Sequence, residues 1–183
     1  MQQVFTKKLP TMKKTILTYG LISGLIAAVL MICSALYFKN STDNKYGELI
    51  GYAGILLSML FVYFGVRSYR ETLAGGALSF GKAFQVGIFI TLISCACYVI
   101  AWMVVYHTMM PDFMDQYIER TLAQLKQSGA TEDQMREQAA RMETYKAMYR
   151  NPFTLAAITF LEPFPVGALV TLITSLVLRR KPS

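Results

Sequence analysis

Residues 153–178 read FTLAAITFLEPFPVGALVTLITSLVL, a stretch whose one charge, Glu162, stands beside Pro163 and Pro165. Crossing a hydrocarbon core of about 30 Å takes about 20 apolar residues in a helix. The whole stretch is long enough; either half, cut at the prolines, is short. Arg179, Arg180 and Lys181 follow at once, the basic flank of a membrane span. The stretch therefore reads as one span that is broken inside.

The break has a chemical cause. Pro163 and Pro165 carry no backbone N–H, which frees the carbonyls of Thr159 and Leu161. Glu162 precedes a proline and is expected to leave helical geometry. A second half-helix then begins near Pro163, and its positively polarised N-terminus offers N–H groups that the Glu162 carboxylate can cap. Counted from Arg179, 17 residues at about 1.5 Å each place Glu162 roughly 25 Å along the span. That is the outer third of the core, not its midplane.

Three further spans emerge in the same way: Ile16–Phe38, Leu49–Val66 closed by Arg67, and Phe84–Tyr106 with Trp102 and Tyr106 near one end. The chain is 54% apolar and 16% charged, with mean hydropathy +0.39. Soluble domains average nearer 25% charged. The fold class predicted is all-α: a polytopic membrane protein with four transmembrane helices and an extracytoplasmic helical hairpin between helices three and four. The first span exceeds the 7–15 apolar residues of a signal peptide, so it is expected to remain as an anchor. Met12 is an alternative start, which would make residues 1–11 an extension.

The net charge of +7 comes from basic residues at span ends, which argues for membrane orientation and against a nucleic-acid surface. Lys7, Lys8, Lys13, Lys14, Arg67, Arg70, Lys82, Arg179, Arg180 and Lys181 fall on one side, with only Glu71 among them. Short basic segments stay in the cytoplasm. Both termini are therefore expected inside. The chain divides into a cytoplasmic arm at 1–15, spans one to three at 16–106, the hairpin at 107–152, and the broken span with its basic tail at 153–183.

Within 107–152, Pro111 and Asp112 open a helix with Met114, Tyr117, Ile118, Leu122 and Leu125 on one face, which stops at Gly129. Thr131 and Gln134 form a capping box for a second helix, striped by Met135, Ala139, Met142, Tyr145 and Tyr149. The two arms are expected to close on each other. The alternative is a docking surface for a second copy or another membrane protein.

Other motifs bear on packing and interface. Gly20, Gly24 and Ala28 in span one, and Gly51 and Gly54 in span two, form small faces that let helices approach closely. Gly76–Ala83 nearly fits the phosphate-loop pattern, but Ala83 stands where a hydroxyl must bind magnesium and no strand precedes it. This motif is instead expected at the inner interface, with Phe80 and Phe84 in lipid and Lys82 reaching the headgroups. Cys33, Cys95 and Cys97 fall inside spans, and Cys95 and Cys97 point apart on a helix. His107, the only histidine, has no Cys, Asp or Glu at ligand spacing. No Ser-His-Asp set, H-E-x-x-H motif or cysteine cluster occurs, so no catalytic residue, metal site or cofactor is expected.

The Lys-flanked first span with YGLISGLI (19–26), the GGALSFGKAFQVG approach to span three (75–87) and the LEPFPVGALVTLITSLVLRRK ending (161–181) together resemble a bacterial membrane family called domain of unknown function 4199. The resemblance covers roughly residues 12–182, and SFGKAF is its most specific short motif. It implies a four-span protein of the bacterial inner membrane with the hairpin in the periplasm, and no activity.

Two functions follow as expectations. One is a non-enzymatic interaction or assembly component whose partners are membrane lipids, a second copy or another membrane protein at 107–152. The other is a channel or carrier component with a proton or cation site at Glu162, where Thr159 and Leu161 supply carbonyls.

Overall fold

The computed structural model describes residues 11–40 and 47–180. The extension before Met12 lies outside them apart from Thr11, as do Lys7, Lys8 and Lys181. The described chain is helical: α1 (Met12–Asn40), α2 (Gly47–Thr72), α3 (Phe80–Thr108), α4 (Phe113–Gln127), α5 (Glu132–Arg150), α6 (Pro152–Leu161) and α7 (Pro163–Leu178). Four segments are long and apolar enough to cross a membrane: Met12–Tyr37, Leu49–Thr72, Phe80–Thr108 and Pro152–Leu178, the last made of α6 and α7. Large apolar side chains such as Leu25, Ile100 and Val177 stand on outward faces, as lipid contact requires.

Local chemistry sets the helix ends. Thr11 accepts from the Lys14 N–H, Ser79 from Lys82, and Asn151 from Phe153 and Thr154, with Pro152 in the first helical turn. The Thr131–Gln134 capping box is formed in both directions. Gly75 and Gly76 turn the chain between α2 and α3 at φ 61° and 87°, which side chains with a Cβ rarely adopt. Beyond that turn Leu78 exchanges two backbone hydrogen bonds with Arg180, at 2.8 and 2.9 Å, tying the α2–α3 connection to the end of α7.

The bundle is organised around α3, which packs on α1, α2, α6 and α7, while α2 packs on α1 and α7. Met59, Val62, Val66, Val86 and Ile90 fill its centre. Lipid tails are as apolar as leucine, so close packing and hydroxyl bonds between helices hold such a bundle together. Both are present. Ser23 donates to the Ser58 carbonyl at 2.8 Å and lies 2.9 Å from the Ser94 hydroxyl, and the Thr91 and Thr171 hydroxyls are 3.0 Å apart.

Of the small residues singled out in the sequence, Gly20 and Gly24 face α3. A Cβ on Gly24 would lie 2.6 Å from the Cys97 Cβ and 3.3 Å from the Ser94 Cα, so the two backbones nearly touch. A Cβ on Gly54 would be 3.3 Å from Leu30. Two positions differ from expectation. Ala28 is only half-buried, because the buried row of α1 runs through Ser23, Ala27, Met31 and Ala35. Gly51 meets nothing within 4 Å; it borders a cavity, not a helix.

The α4–α5 pair packs together and is joined, at the end away from its turn, by an ion pair between Lys146 and Asp115. Its apolar faces do more than meet each other. Met114 and Met142 are buried, and Phe113 sets its ring against Trp102 of α3 at 5.1 Å. Tyr149 approaches Tyr106 at 5.7 Å. The pair is folded down onto the end of the bundle.

Candidate functional site

The fourth span holds the site because of how it breaks. Glu162 lies between α6 and α7 with φ −72° and ψ −59°, so its backbone remains helical. This corrects the expectation of non-helical geometry. A following proline disfavours the helical region without forbidding it, and α6 packed on α3 with α7 packed on α2 and α3 holds the chain in line. The capping role falls with it: Glu162 makes no side-chain cap bond to α7. Capping needs an extended backbone to fold the side chain back onto the next N–H groups.

The carboxylate points elsewhere. Its Oε2 accepts a hydrogen bond from the Tyr98 hydroxyl of α3 at 3.1 Å. Oε1 has no side-chain or backbone donor among the described residues, and none of the salt bridges there includes Glu162. Independent counts of helix rise put the pair at one level. Tyr98 is 18 residues beyond Phe80, and Glu162 is 17 residues before Arg179. At about 1.5 Å per residue these are roughly 27 and 25 Å.

A cavity opens there because α2 follows α7 but makes no substantial contact with α6. It has two adjoining chambers that share Gly51, Ile55, Tyr98, Phe113, Tyr117 and Glu162 as walls. The first, of about 200 Å³, runs between α1 and α2 over Ala27, Met31 and Ala35, with Trp102 on one side. The second, of about 560 Å³, lies under α4–α5 and adds Tyr52, Tyr145, Tyr149 and Arg141. Burial, and then the nearby Glu162 carboxylate, push the Tyr149 hydroxyl up to about 12.

Thr159 is buried, one turn before Glu162, while the Leu161 side chain faces outward. Their carbonyls are left without helical donors by the two prolines, and neither residue lines either chamber. Phe80, Lys82 and Phe84 lie at the opposite end of the bundle, about 27 Å along α3 by helix rise. There Phe80 stacks on Phe84 at 6.0 Å and the exposed Lys82 reaches Gln85 at 3.3 Å. Among the described residues no group of three or more His, Cys, Asp and Glu is placed to hold a metal ion.

Sequence reasoning missed the aromatic walls. One signal was present: Thr91, Ser94 and Tyr98 recur at helical spacing on α3 and mark its inward polar face. Tyr117, Tyr145 and Tyr149 fall in the apolar stripes of α4 and α5, but helical periodicity does not say which faces meet.

The chain matches the family described as protein of unknown function (DUF4199) over residues 18–180. Comparison with curated proteins and with solved structures finds no match. The matched residues contain the SFGKAF turn, the Tyr98–Glu162 pair and the whole broken span, and the chain belongs to the DUF4199 family.

Proposed function

We propose that this is a non-enzymatic, multi-pass protein of the bacterial inner membrane that binds a cation at Glu162. In this reading both termini are cytoplasmic and α4–α5 is an extracytoplasmic hairpin that roofs the cavity. The observation that carries it is Glu162 itself: a carboxylate at membrane depth, opening onto two chambers, held by Tyr98 and unneutralised by any described Lys, Arg or His. Carboxylates in spans are costly and mark ion or ligand positions when they face a cavity. Binding is favoured over catalysis because, among the described residues, the Tyr98 hydroxyl is the one hydrogen-bond partner of Glu162 and no His, Cys or Lys lines either chamber. In the core below, the hydroxyls of Ser23, Ser94, Thr91 and Thr171 are engaged between helices, and those of Ser58 and Ser175 donate within their own helices.

The test is thermal unfolding of the purified protein in membranes of uncharged lipid, with sodium, potassium and ammonium chlorides at constant ionic strength. A ligand that binds only the folded state raises its stability. The reading expects a cation-specific rise in the unfolding temperature that Glu162→Gln removes. Equal behaviour of all salts, or an unchanged rise in the variant, would overturn it.

A second reading, an assembly component that meets another copy or another membrane protein through 107–152, draws support from Tyr145 and Met148, which remain exposed on α5. The first is better supported, since Phe113 already sets its ring on Trp102 and Tyr149 on Tyr106, which leaves less of the pair's apolar surface open.

A further inference from the structure

The Glu162 cavity has two unlike halves, and together they define a ligand more narrowly than charge alone. Around the carboxylate stand tyrosine side chains: Tyr98, Tyr117 and Tyr149, with Tyr52 and Tyr145 on the wider wall of the second chamber, which Arg141 also lines while pairing with Glu137. A hard metal ion needs six or more oxygen ligands or its own waters in a tight octahedron. One carboxylate, with phenol rings, Gln138 and the Arg141 guanidinium on the same walls, supplies neither. An alkylammonium group is the cation that such walls suit, because its charge is attracted by aromatic faces while its methyl or methylene groups pack against them.

The first chamber continues from Glu162 away from the rings. Its lining there is Ala27, Met31, Ala35 and Ile55, with Trp102 beside it, and the absence of a side chain on Gly51 keeps it open. At about 200 Å³ it exceeds the roughly 150 Å³ apolar cavity that takes up benzene. It suits hydrocarbon.

We propose that the cavity binds an ammonium-bearing amphiphile, with its nitrogen at Glu162 among the tyrosine rings and its alkyl part in the chamber between α1 and α2. This rests on the reading of Glu162 as a cation site and adds the ligand's class. Glu162 supplies the counter-charge, Tyr98 holds that carboxylate in place, and the α4–α5 aromatics cover the head. Each methylene seated in the first chamber contributes about fourfold in affinity.

Trp102, the only tryptophan, borders the first chamber and reports its filling. The experiment follows Trp102 emission while octyltrimethylammonium is titrated into the full-length protein in vesicles of a neutral glycolipid, which carry no ammonium group. The proposal expects a saturable change with a midpoint at least about tenfold lower than for tetramethylammonium, and no such change with octyl glucoside. In Glu162→Gln the midpoint rises at least about tenfold, one lost charge contact being worth that much. Gly51→Leu, which fills open space shared by both chambers and leaves the carboxylate intact, abolishes the response. An equal response to octyl glucoside, or to octyltrimethylammonium in both variants, overturns the proposal. So does a midpoint for tetramethylammonium as low as for the octyl compound, though the cation reading then stands. If inorganic cations stabilise the protein through Glu162 while no ammonium compound moves Trp102, the ligand class is wrong and the cation site remains. If neither acts, both readings fall. Adding an aminolipid to the vesicles separates the two sources of this chemistry: competition assigns the site to a lipid headgroup, and its absence to a free amine.

Discussion

The Tyr98 hydroxyl donates to Glu162 across 3.1 Å and a sequence separation of 64 residues, fastening the break in the fourth span to α3. Tyr98→Phe keeps the ring and deletes the donor. A hydrogen bond to a charged group contributes about 1.5–3 kcal/mol in protein interiors; facing an open cavity, this one should contribute about 1 kcal/mol. The variant is expected to fold, to unfold at slightly lower temperature, and to bind cations several-fold more weakly because the carboxylate is no longer fixed. Calorimetry on both proteins measures the two effects together. Unchanged binding would show that Glu162 needs no positioning.

The contact of α1 with α3 at Gly24 leaves no room for a side chain. Gly24→Val is expected to cost about 1–3 kcal/mol, the range for overpacking a tight contact. Gly51→Ala should cost nothing and can gain up to about 1 kcal/mol of helix propensity, since its Cβ meets empty space. Denaturant unfolding in detergent micelles ranks the two variants. Equal costs would mean that the α1–α3 contact is looser than described.

The four spans were legible from the sequence because each is a long apolar run ended by charge, and Glu162 stood out because lipid tolerates it poorly. The cavity was not legible. Its walls come from Tyr52, Tyr98, Tyr117 and Tyr149 on four helices, and a helical period fixes the face of each helix without saying which faces converge. The same limit explains α4 and α5: their stripes at Met114, Met142 and Tyr149 were expected to pair with each other, and they also cover the bundle. The backbone of Glu162 went the other way. A local rule about residues before proline gave way to packing on both sides of the break.

Tyr149 supplies a test at alkaline pH. Its folded-state pKa is raised from the ordinary 10.0 to about 12, by burial first and then by Glu162. Unfolding would let it ionise earlier, so the contribution of Tyr149 to stability is present below pH 10 and is lost as pH rises from 10 towards 12. Tyrosinate absorbance should therefore show one group fewer titrating near pH 12 in Tyr149→Phe than in the wild type. A difference titrating near pH 10 would mean that Tyr149 is open to water.

The orientation of α4–α5 is checked with one cysteine. Ser128 is exposed at the turn between the two helices. In a background with Cys33, Cys95 and Cys97 changed to serine, Ser128→Cys should react with an impermeant thiol reagent in intact cells whose outer envelope has been permeabilised. Labelling only after the inner membrane is broken would invert the proposed topology.

The central claim is that the carboxylate at the break of the fourth span is a cation site. Isothermal titration of methylammonium chloride into the purified protein tests it most directly, with Glu162→Gln alongside and sodium methyl sulfate as the control for methyl groups without positive charge. One saturable site is expected in the wild type, at least about tenfold weaker in the variant, and no binding of the control. Equal binding by wild type and variant, or no binding by either together with equal unfolding temperatures in every salt, would contradict it.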